Sequence, residues 1–130
     1  MGRGLGGIER DMNKRRRHKR IIVSGSAMLQ FIKKGESQSI QTLIANISLQ
    51  GIGLYSYSSI KVGTSVSITT LFIAVDGRLK TESIEGRVVS NRKIGKTHFL
   101  GIQLDREIDA QNQPSLFKHL QGVLMTEMAD

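Results

Sequence analysis

Residues 64–77 read TSVSITTLFIAVDG, and this stretch decides the fold. Its first twelve residues are rich in β-branched side chains, which favour an extended strand over a helix. The Asp76-Gly77 pair that follows tolerates positive φ angles, as a tight two-residue hairpin turn requires. The stretch therefore predicts a β-hairpin that joins a strand at 64–75 to a second strand at 79–91.

Strand-like segments of the same kind lie on both sides of this hairpin. Apolar and β-branched residues predict further strands at 20–32, 39–46, 51–56 and 98–104. Polar or glycine-containing turns separate several of them, and no helical pattern lies between the strands, which argues against a parallel βαβ arrangement. We predict an all-β fold, a six-stranded antiparallel β-barrel, with a β-sandwich as the alternative.

The C-terminal segment changes to a helical period. Apolar side chains recur at helical spacing at Phe117, Leu120, Leu124 and Met128. Asn112 can cap the start of a helix, and Pro114 suits its first turn. We therefore predict a C-terminal α-helix at about 112–128 that covers one end of the barrel. A helix that binds a partner protein is the alternative.

Composition limits the class of protein and the chemistry open to it. The chain has 130 residues, of which 38% are apolar, enough for one core. We expect residues 1–13 to form a flexible tail and residues 14–130 to form one domain. The absence of cysteine excludes disulfide bonds, thiolate zinc sites and cysteine nucleophiles. No apolar run reaches the length of a membrane span and no signal-peptide pattern opens the chain, so we expect a cytoplasmic protein.

The positive charge is concentrated in one segment. Residues 1–20 carry eight of the nineteen Lys and Arg residues, against Glu9 and Asp11, whereas the rest of the chain carries eleven basic and nine acidic residues. A nearly neutral body with one basic segment indicates a local anion site and argues against a protein that coats nucleic acid.

Within that segment the arginines have a regular spacing. The run Lys14-Arg15-Arg16-Arg17-His18-Lys19-Arg20 contains the pattern Arg16-x-x-x-Arg20 and directly precedes the first predicted strand. Guanidinium groups can bind phosphate with two hydrogen bonds, address guanine, or stack on a base. The plain interpretation is a solvated basic tail, but arginines fixed at a strand end can recognise one particular anion.

A second polar motif follows the second predicted strand. It reads Asn46-Ile-Ser48-Leu-Gln-Gly51, and these residue types by themselves are typical of an ordinary turn. Alternatively, Asn46 and Ser48 project from a strand end as hydrogen-bonding groups, and Gly51 lets the backbone approach a ligand closely.

Catalytic and metal-binding patterns are not found in the sequence. Gly95-Lys96-Thr97 resembles the end of a phosphate-binding loop but lacks the required glycine five residues earlier. The three histidines are scattered, and we interpret Glu82 and Glu85 as solvent-facing charges rather than an acid–base pair. We predict a binding protein, not an enzyme, with no metal and no cofactor.

The two motifs together resemble the signature of the PilZ domain family, bacterial receptors for the second messenger cyclic di-GMP. That signature is Arg-x-x-x-Arg followed by Asp/Asn-x-Ser-x-x-Gly, on a six-stranded antiparallel barrel with a C-terminal helix. The resemblance covers about residues 14 to 128, and residues 86–89 and 99–104 look like the late strands of the family.

The resemblance implies a set of ligand-binding residues. The motif arginines hold phosphates and guanine faces, the Asn and Ser positions address a guanine edge, and a preceding arginine is associated with binding an intercalated ligand dimer. The implied residues are Arg15, Arg16, Arg20, Asn46, Ser48 and Gly51.

These motifs also suggest a mechanism and leave two rivals. Cyclic di-GMP would order residues of about 8 to 20 against the barrel and so change the surface offered to an unidentified effector protein. One rival is a small basic barrel that binds RNA or DNA, although few aromatic residues are available to stack on bases. The other is a PilZ-like adaptor that binds no nucleotide.

Overall fold

The computed structural model describes residues 24–129, which form six antiparallel strands followed by one helix. The elements are β1 (Gly25–Lys33), β2 (Glu36–Ile47), β3 (Gly51–Ser56), β4 (Ser65–Ile73), β5 (Leu79–Ile94), β6 (Thr97–Leu104) and α1 (Pro114–Ala129). The prediction of an all-β fold with six antiparallel strands and a C-terminal helix is confirmed. The strands pair in the order β1-β2-β3-β6-β5-β4, and β1 also pairs with β4, so the sheet closes into a barrel.

The strand boundaries agree with the sequence except at four places. β4 ends at Ile73 and not at residue 75, so the β4–β5 connection has five residues, 74–78, and the predicted two-residue turn at Asp76-Gly77 is wrong, since only Gly77 among them has a positive φ, 82°. The part of the first predicted strand before residue 24 lies outside the described residues. β5 continues to Ile94, so the last hairpin turn shrinks to Gly95 and Lys96, with Gly95 at φ 61°. The β1–β2 turn is also two residues long, with Lys34 at φ 52° and Gly35 at φ 79°. Two successive positive φ angles match the twist of the flanking strands.

The core follows the two-residue period of the strands. Inward-facing residues on five strands are fully buried and almost all aliphatic, as in Leu29, Leu54, Ile68, Val88 and Leu100. Their neighbours in sequence point outward, because alternate side chains of a strand lie on opposite faces. The barrel interior is therefore filled by side chains, and a ligand must bind on an outer surface.

The helix packs against the end of the barrel that carries the β4–β5 hairpin. Leu116 and Leu120 are buried in the barrel core, and the ring of His119 contacts Phe72 edge-on at 6.3 Å between centroids. The helix begins two residues later than expected. Of its predicted apolar face, Leu120 is buried and Phe117 is partly buried, and the side chains of Leu124 and Met128 lie outside those described.

The start of the helix is capped from β5. The backbone N–H groups of Ser115 and Leu116 donate to the two carboxylate oxygens of Glu82, each at 2.8 Å. A carboxylate at this position satisfies free amides and interacts favourably with the helix dipole. The prediction that Glu82 is merely a solvent-facing charge is therefore wrong.

Asn112 does not cap the helix, contrary to the sequence-based prediction. Its backbone N–H donates to Asp109 Oδ1 at 2.7 Å and its side-chain amide donates to Asp109 Oδ2 at 3.0 Å, in the turn before the helix. These hydrogen bonds lower the pKa of Asp109 below its ordinary value, and the bond from the Asn112 backbone N–H has the largest effect.

Candidate functional site

The Asn-x-Ser-x-x-Gly motif forms the connection between β2 and β3. The Ser48 N–H donates to the Gly51 carbonyl at 2.8 Å and closes a tight turn. The Ser48 hydroxyl is buried and accepts hydrogen bonds from the N–H groups of Gly51 at 3.1 Å and Gln50 at 3.3 Å. Ser48 thus stabilises the turn, as the plain interpretation of the motif predicted, and whether it also contacts a ligand stays a prediction.

The segment after β6 holds this turn in place. Leu104 N–H donates to the Gln50 carbonyl at 2.9 Å, and Ile108 N–H donates to the Leu49 carbonyl at 2.8 Å. The Gln50 side chain donates to Glu107 at 3.0 Å. Backbone bonds to a second segment fix the turn, so the strand end that carries Asn46 has a defined position.

A β-bulge directs Asn46 to the outer face of the barrel. The register of β2 against β3 shifts between Ile44 and Asn46, so that Asn46 pairs with Gly53 while Ile44 and Ile47 both stay buried. Bulges of this kind commonly re-aim a side chain beside a functional site. The predicted site residue Asn46 therefore lies at the edge of an outward-facing surface.

Gly53 leaves room for two neighbouring side chains. A Cβ atom at this position would lie 2.9 Å from Asn46 Oδ1 and 3.0 Å from Phe99 Cζ. Both distances are shorter than ordinary contacts between such atoms. The absence of a side chain at Gly53 is what allows the Asn46 amide and the Phe99 ring to approach one another over the backbone of β3.

A second glycine continues this surface across β6. Gly101 pairs with Gly53 on one side and with Ser90 on the other, and a Cβ atom here would collide with the Ser90 hydroxyl. A second bulge, between Val88 and Ser90, turns Ser90 outward. A row of four residues thus crosses four strands, with polar side chains at its ends and two glycines in its middle. We call Asn46, Gly53, Gly101 and Ser90 the glycine row.

An aromatic pair borders the glycine row. The rings of Phe99 and Tyr55 lie 5.2 Å apart between centroids at 51°, and the Arg92 guanidinium carbon lies 5.8 Å from the centre of the Phe99 ring. That distance is within the range of a cation–π contact. Beside the glycine row the structure therefore places two tilted aromatic rings and one exposed guanidinium group.

Comparison with known proteins identifies the family of this chain. The family model of the PilZ domain matches residues 14–122, which include both sequence motifs and all six strands. The chain belongs to the PilZ domain family. No curated protein sequence matches the chain.

Solved PilZ structures are similar to this chain. The inhibitor of motility MotI/DgrA from Bacillus subtilis superposes with a TM-score of 0.64 at 16% identity, over 83% of this chain and 51% of that one. The PilZ domain of YcgR from Escherichia coli, solved with c-di-GMP, gives 0.49 at 15% identity, over 88% and 94%. A tetrameric PilZ protein from Xanthomonas campestris gives 0.49 at 21% identity, over 69% and 48%. The MotI likeness shows a shared fold, and this chain spans about half the length of MotI.

The described PilZ domain contains only one of the two predicted motifs. Arg15, Arg16 and Arg20 lie outside the described residues, so their relation to Asn46 stays a prediction. The first described residue is Ser24. Ser26, two residues on, pairs with Leu43, three positions before Asn46.

Sequence reasoning missed Gly53, Gly101, Phe99 and Arg92. The sequence could have indicated Gly53, because it follows the motif residue Gly51 by two positions and so lies on the same face of a strand. The pairing of Gly53 with Gly101 could not be read from the sequence, because residues 53 and 101 are brought together only by the β3–β6 contact.

An apolar cleft lies next to the aromatic pair. It has a volume of about 600 Å³ and is lined mainly by carbon atoms of Leu43, Tyr55, Tyr57 and Ile94 and their neighbours. Such a lining offers little to a phosphate group. Among the described surfaces next to Asn46, the glycine row therefore suits a polar, flat ligand better than the cleft does.

Proposed function

We propose that this PilZ domain is a receptor for cyclic di-GMP. The observation that carries the proposal is the glycine row on the outer face of the barrel, where the absence of a side chain at Gly53 lets the motif residue Asn46 and the Phe99 ring lie next to each other. Family membership and the resemblance of both motifs to the PilZ signature support the choice of ligand.

The chemistry of the ligand complements these residues. Cyclic di-GMP has two phosphates and two guanines, which need cationic groups, hydrogen-bonding edges and flat surfaces. In the proposed complex Arg16 and Arg20 bind phosphate and guanine, and the Asn46 amide supplies one donor and one acceptor to a guanine edge. A guanine plane can pack on the Phe99 ring beside the Asn46 amide, since both side chains lie over Gly53, which has no Cβ atom.

Ser48 and Gly51 have a supporting role in this proposal. Their turn bonds hold the end of β2, and therefore Asn46, in place. The Arg92–Phe99 pair offers a face against which a base can pack. These contributions are positional, so their loss should weaken binding less than the loss of a motif arginine.

Ligand binding would also change the N-terminal segment. Arg20 is four residues from Ser24, so its Cα can lie at most about 14 Å from that of Ser24. Within this reach, cyclic di-GMP would draw Arg16 and Arg20 towards the glycine row and order residues of about 8 to 20. Arg15 would add a contact to an intercalated ligand dimer. The ordered segment would then alter contacts with an effector protein in the cytoplasm.

Calorimetry with cyclic di-GMP tests the proposal. Charge-assisted hydrogen bonds contribute about 1.5–3 kcal/mol each, so Arg16→Ala and Arg20→Ala should each weaken binding by about tenfold or more. Asn46→Ala should also weaken it. Arg78→Ala is the matched control, because it removes an exposed arginine from the β4–β5 connection, which contributes no residue to the glycine row, and should leave affinity unchanged.

Three outcomes would contradict the proposal. Wild-type affinity in both Arg16→Ala and Asn46→Ala would reject the site. Equal affinity for cyclic di-AMP would reject guanine recognition. Binding of single-stranded RNA that falls steeply with salt, without cyclic di-GMP binding, would favour the nucleic-acid rival.

A further inference from the structure

Three of the connections between strands lie at one end of the barrel. Successive strands run in opposite directions, so the β1–β2, β3–β4 and β5–β6 connections share one end, and the β2–β3 and β4–β5 connections share the other. The helix packs at the second end, since Leu116 N–H binds Glu82 and His119 contacts Phe72. The first end carries no helix among the described residues.

This first end is strongly basic. Its connections and their flanks carry five exposed lysines against one acidic residue, Glu36, and we call it the lysine end. The lysines are Lys33, Lys34, Lys61, Lys93 and Lys96. At the other end, residues 74–78 and 105–113 carry two arginines against four acidic residues. The described domain thus has a positive end and a negative end.

Each connection of the lysine end also exposes an apolar side chain next to a lysine. Ile32 beside Lys33 is 65% exposed, Val62 beside Lys61 is 53% exposed, and Ile94 beside Lys93 is 47% exposed. Tyr57, at the start of the β3–β4 connection, is 86% exposed. Leu79, at the opposite end, is equally exposed between Arg78 and Lys80, but acidic residues outnumber basic ones in the connections of that end, so of the two described ends only the lysine end combines exposed apolar side chains with net positive charge.

The longest of the three connections is held in a fixed conformation. The Asn91 amide donates to the Ser59 hydroxyl and to the Ile60 carbonyl, both at 2.9 Å. Gly63 N–H donates to the Val88 carbonyl at 2.7 Å. These bonds to β5 hold the Lys61–Val62 corner in place, so its apolar side chain is presented without an ordering cost on binding.

We propose that the lysine end docks on a membrane surface that contains anionic lipid. Its lysines would pair with lipid phosphates, and Ile32, Val62 and Ile94 would enter the interface with Tyr57 at headgroup level. The net positive charge of this end complements anionic headgroups, and a bilayer interface takes up an apolar side chain and a neighbouring lysine together. The proposal does not depend on cyclic di-GMP binding, because no residue of the glycine row belongs to the lysine end.

The absence of tryptophan from the chain permits a direct test. The Tyr57→Trp variant of the full chain is mixed with vesicles of phosphatidylcholine alone, or with an equal part of phosphatidylglycerol. We expect a blue-shifted indole emission and quenching by brominated acyl chains with the anionic vesicles only. Leu79→Trp is the matched control, since Leu79 is 67% exposed at the opposite end and its indole should stay unshifted.

Charge variants separate the lysine end from the basic segment at residues 14–20. Replacing Lys33, Lys34, Lys93 and Lys96 by alanine should weaken vesicle binding at least about tenfold. Replacing Arg15, Arg16 and Arg17 by alanine should leave the quenching of the Tyr57→Trp indole in place. The absence of binding to anionic vesicles would overturn the proposal. Vesicle binding in which that indole is neither shifted nor quenched would also overturn it, because the N-terminal basic residues would then account for the binding.

Discussion

At the scale of single residues, the glycine row is the feature on which the proposed ligand site depends. Gly53 and Gly101 are paired across β3 and β6, and a methyl group at either position meets a polar side chain of the same row. The atoms that a Cβ at Gly53 would meet are the tips of Asn46 and Phe99, which can move aside. Such a substitution should therefore lower ligand affinity more than it lowers the free energy of unfolding.

This argument predicts the effect of Gly53→Ala. The added methyl group should displace the Asn46 amide and weaken cyclic di-GMP binding by about tenfold, the value of one misplaced hydrogen-bonding group. The free energy of unfolding should fall by less than about 1 kcal/mol, because only side-chain tips move. Calorimetry and urea denaturation measure the two quantities.

Gly86→Ala is the contrasting variant. Its Cβ would lie 2.7 Å from the carbonyl oxygen of Gln103, a backbone atom that cannot move aside freely. It should lower the free energy of unfolding by about 1–3 kcal/mol and leave ligand affinity unchanged in the folded protein. If Gly53→Ala binds cyclic di-GMP as tightly as the wild type does, the glycine row is not part of the ligand site.

At the scale of elements, one carboxylate joins the helix to the barrel. Glu82 lies on β5 and accepts from two amides at the start of α1, so a single side chain fixes where the helix begins. The sequence predicted the helix correctly from its apolar period. It could not predict this cap, because Glu82 and Ser115 are 33 positions apart and the usual capping signals are local.

Removing this cap should loosen the helix. Glu82→Ala should lower the free energy of unfolding by about 1–2 kcal/mol, as the loss of an N-terminal cap does elsewhere. Glu85→Ala is the control, since its carboxylate accepts only an exposed bond from Ser67 among the hydrogen bonds of the described residues. Thermal and urea denaturation compare the two, and equal losses would show that Glu82 has no special role.

At the scale of the whole molecule, the barrel separates two surfaces. The β2–β3 turn and Asn46 lie towards the end that carries the helix, whereas the lysine end lies at the other mouth of the barrel. Among the residues that the structure describes, no helix is long and apolar enough to cross a membrane. The two proposed surfaces share no residue, so separate variants can abolish ligand binding and membrane binding one at a time.

This separation predicts a reciprocal result. A variant with alanine at Lys33, Lys34 and Lys61, none of which adjoins a described residue of the proposed ligand site in sequence, should bind cyclic di-GMP within about twofold of the wild type, since distant sites contribute additively. Asn46→Ala should bind anionic vesicles as the wild type does. Calorimetry and vesicle flotation on the same preparations measure both, and a loss of both activities in either variant would contradict the separation.

Local sequence was enough to predict the strands, the positions of the turns between them, the helix and the family. Those features depend on local periodicity, on turn residues such as Asp76-Gly77, and on motifs read along the chain. Only the tertiary structure decided which residues meet across strands. The β3–β6 contact brings Gly53 beside Gly101, and a bulge turns Asn46 outward. Pairing register and barrel closure are long-range properties, so no local stretch of sequence encodes the surface that the proposed ligand would touch.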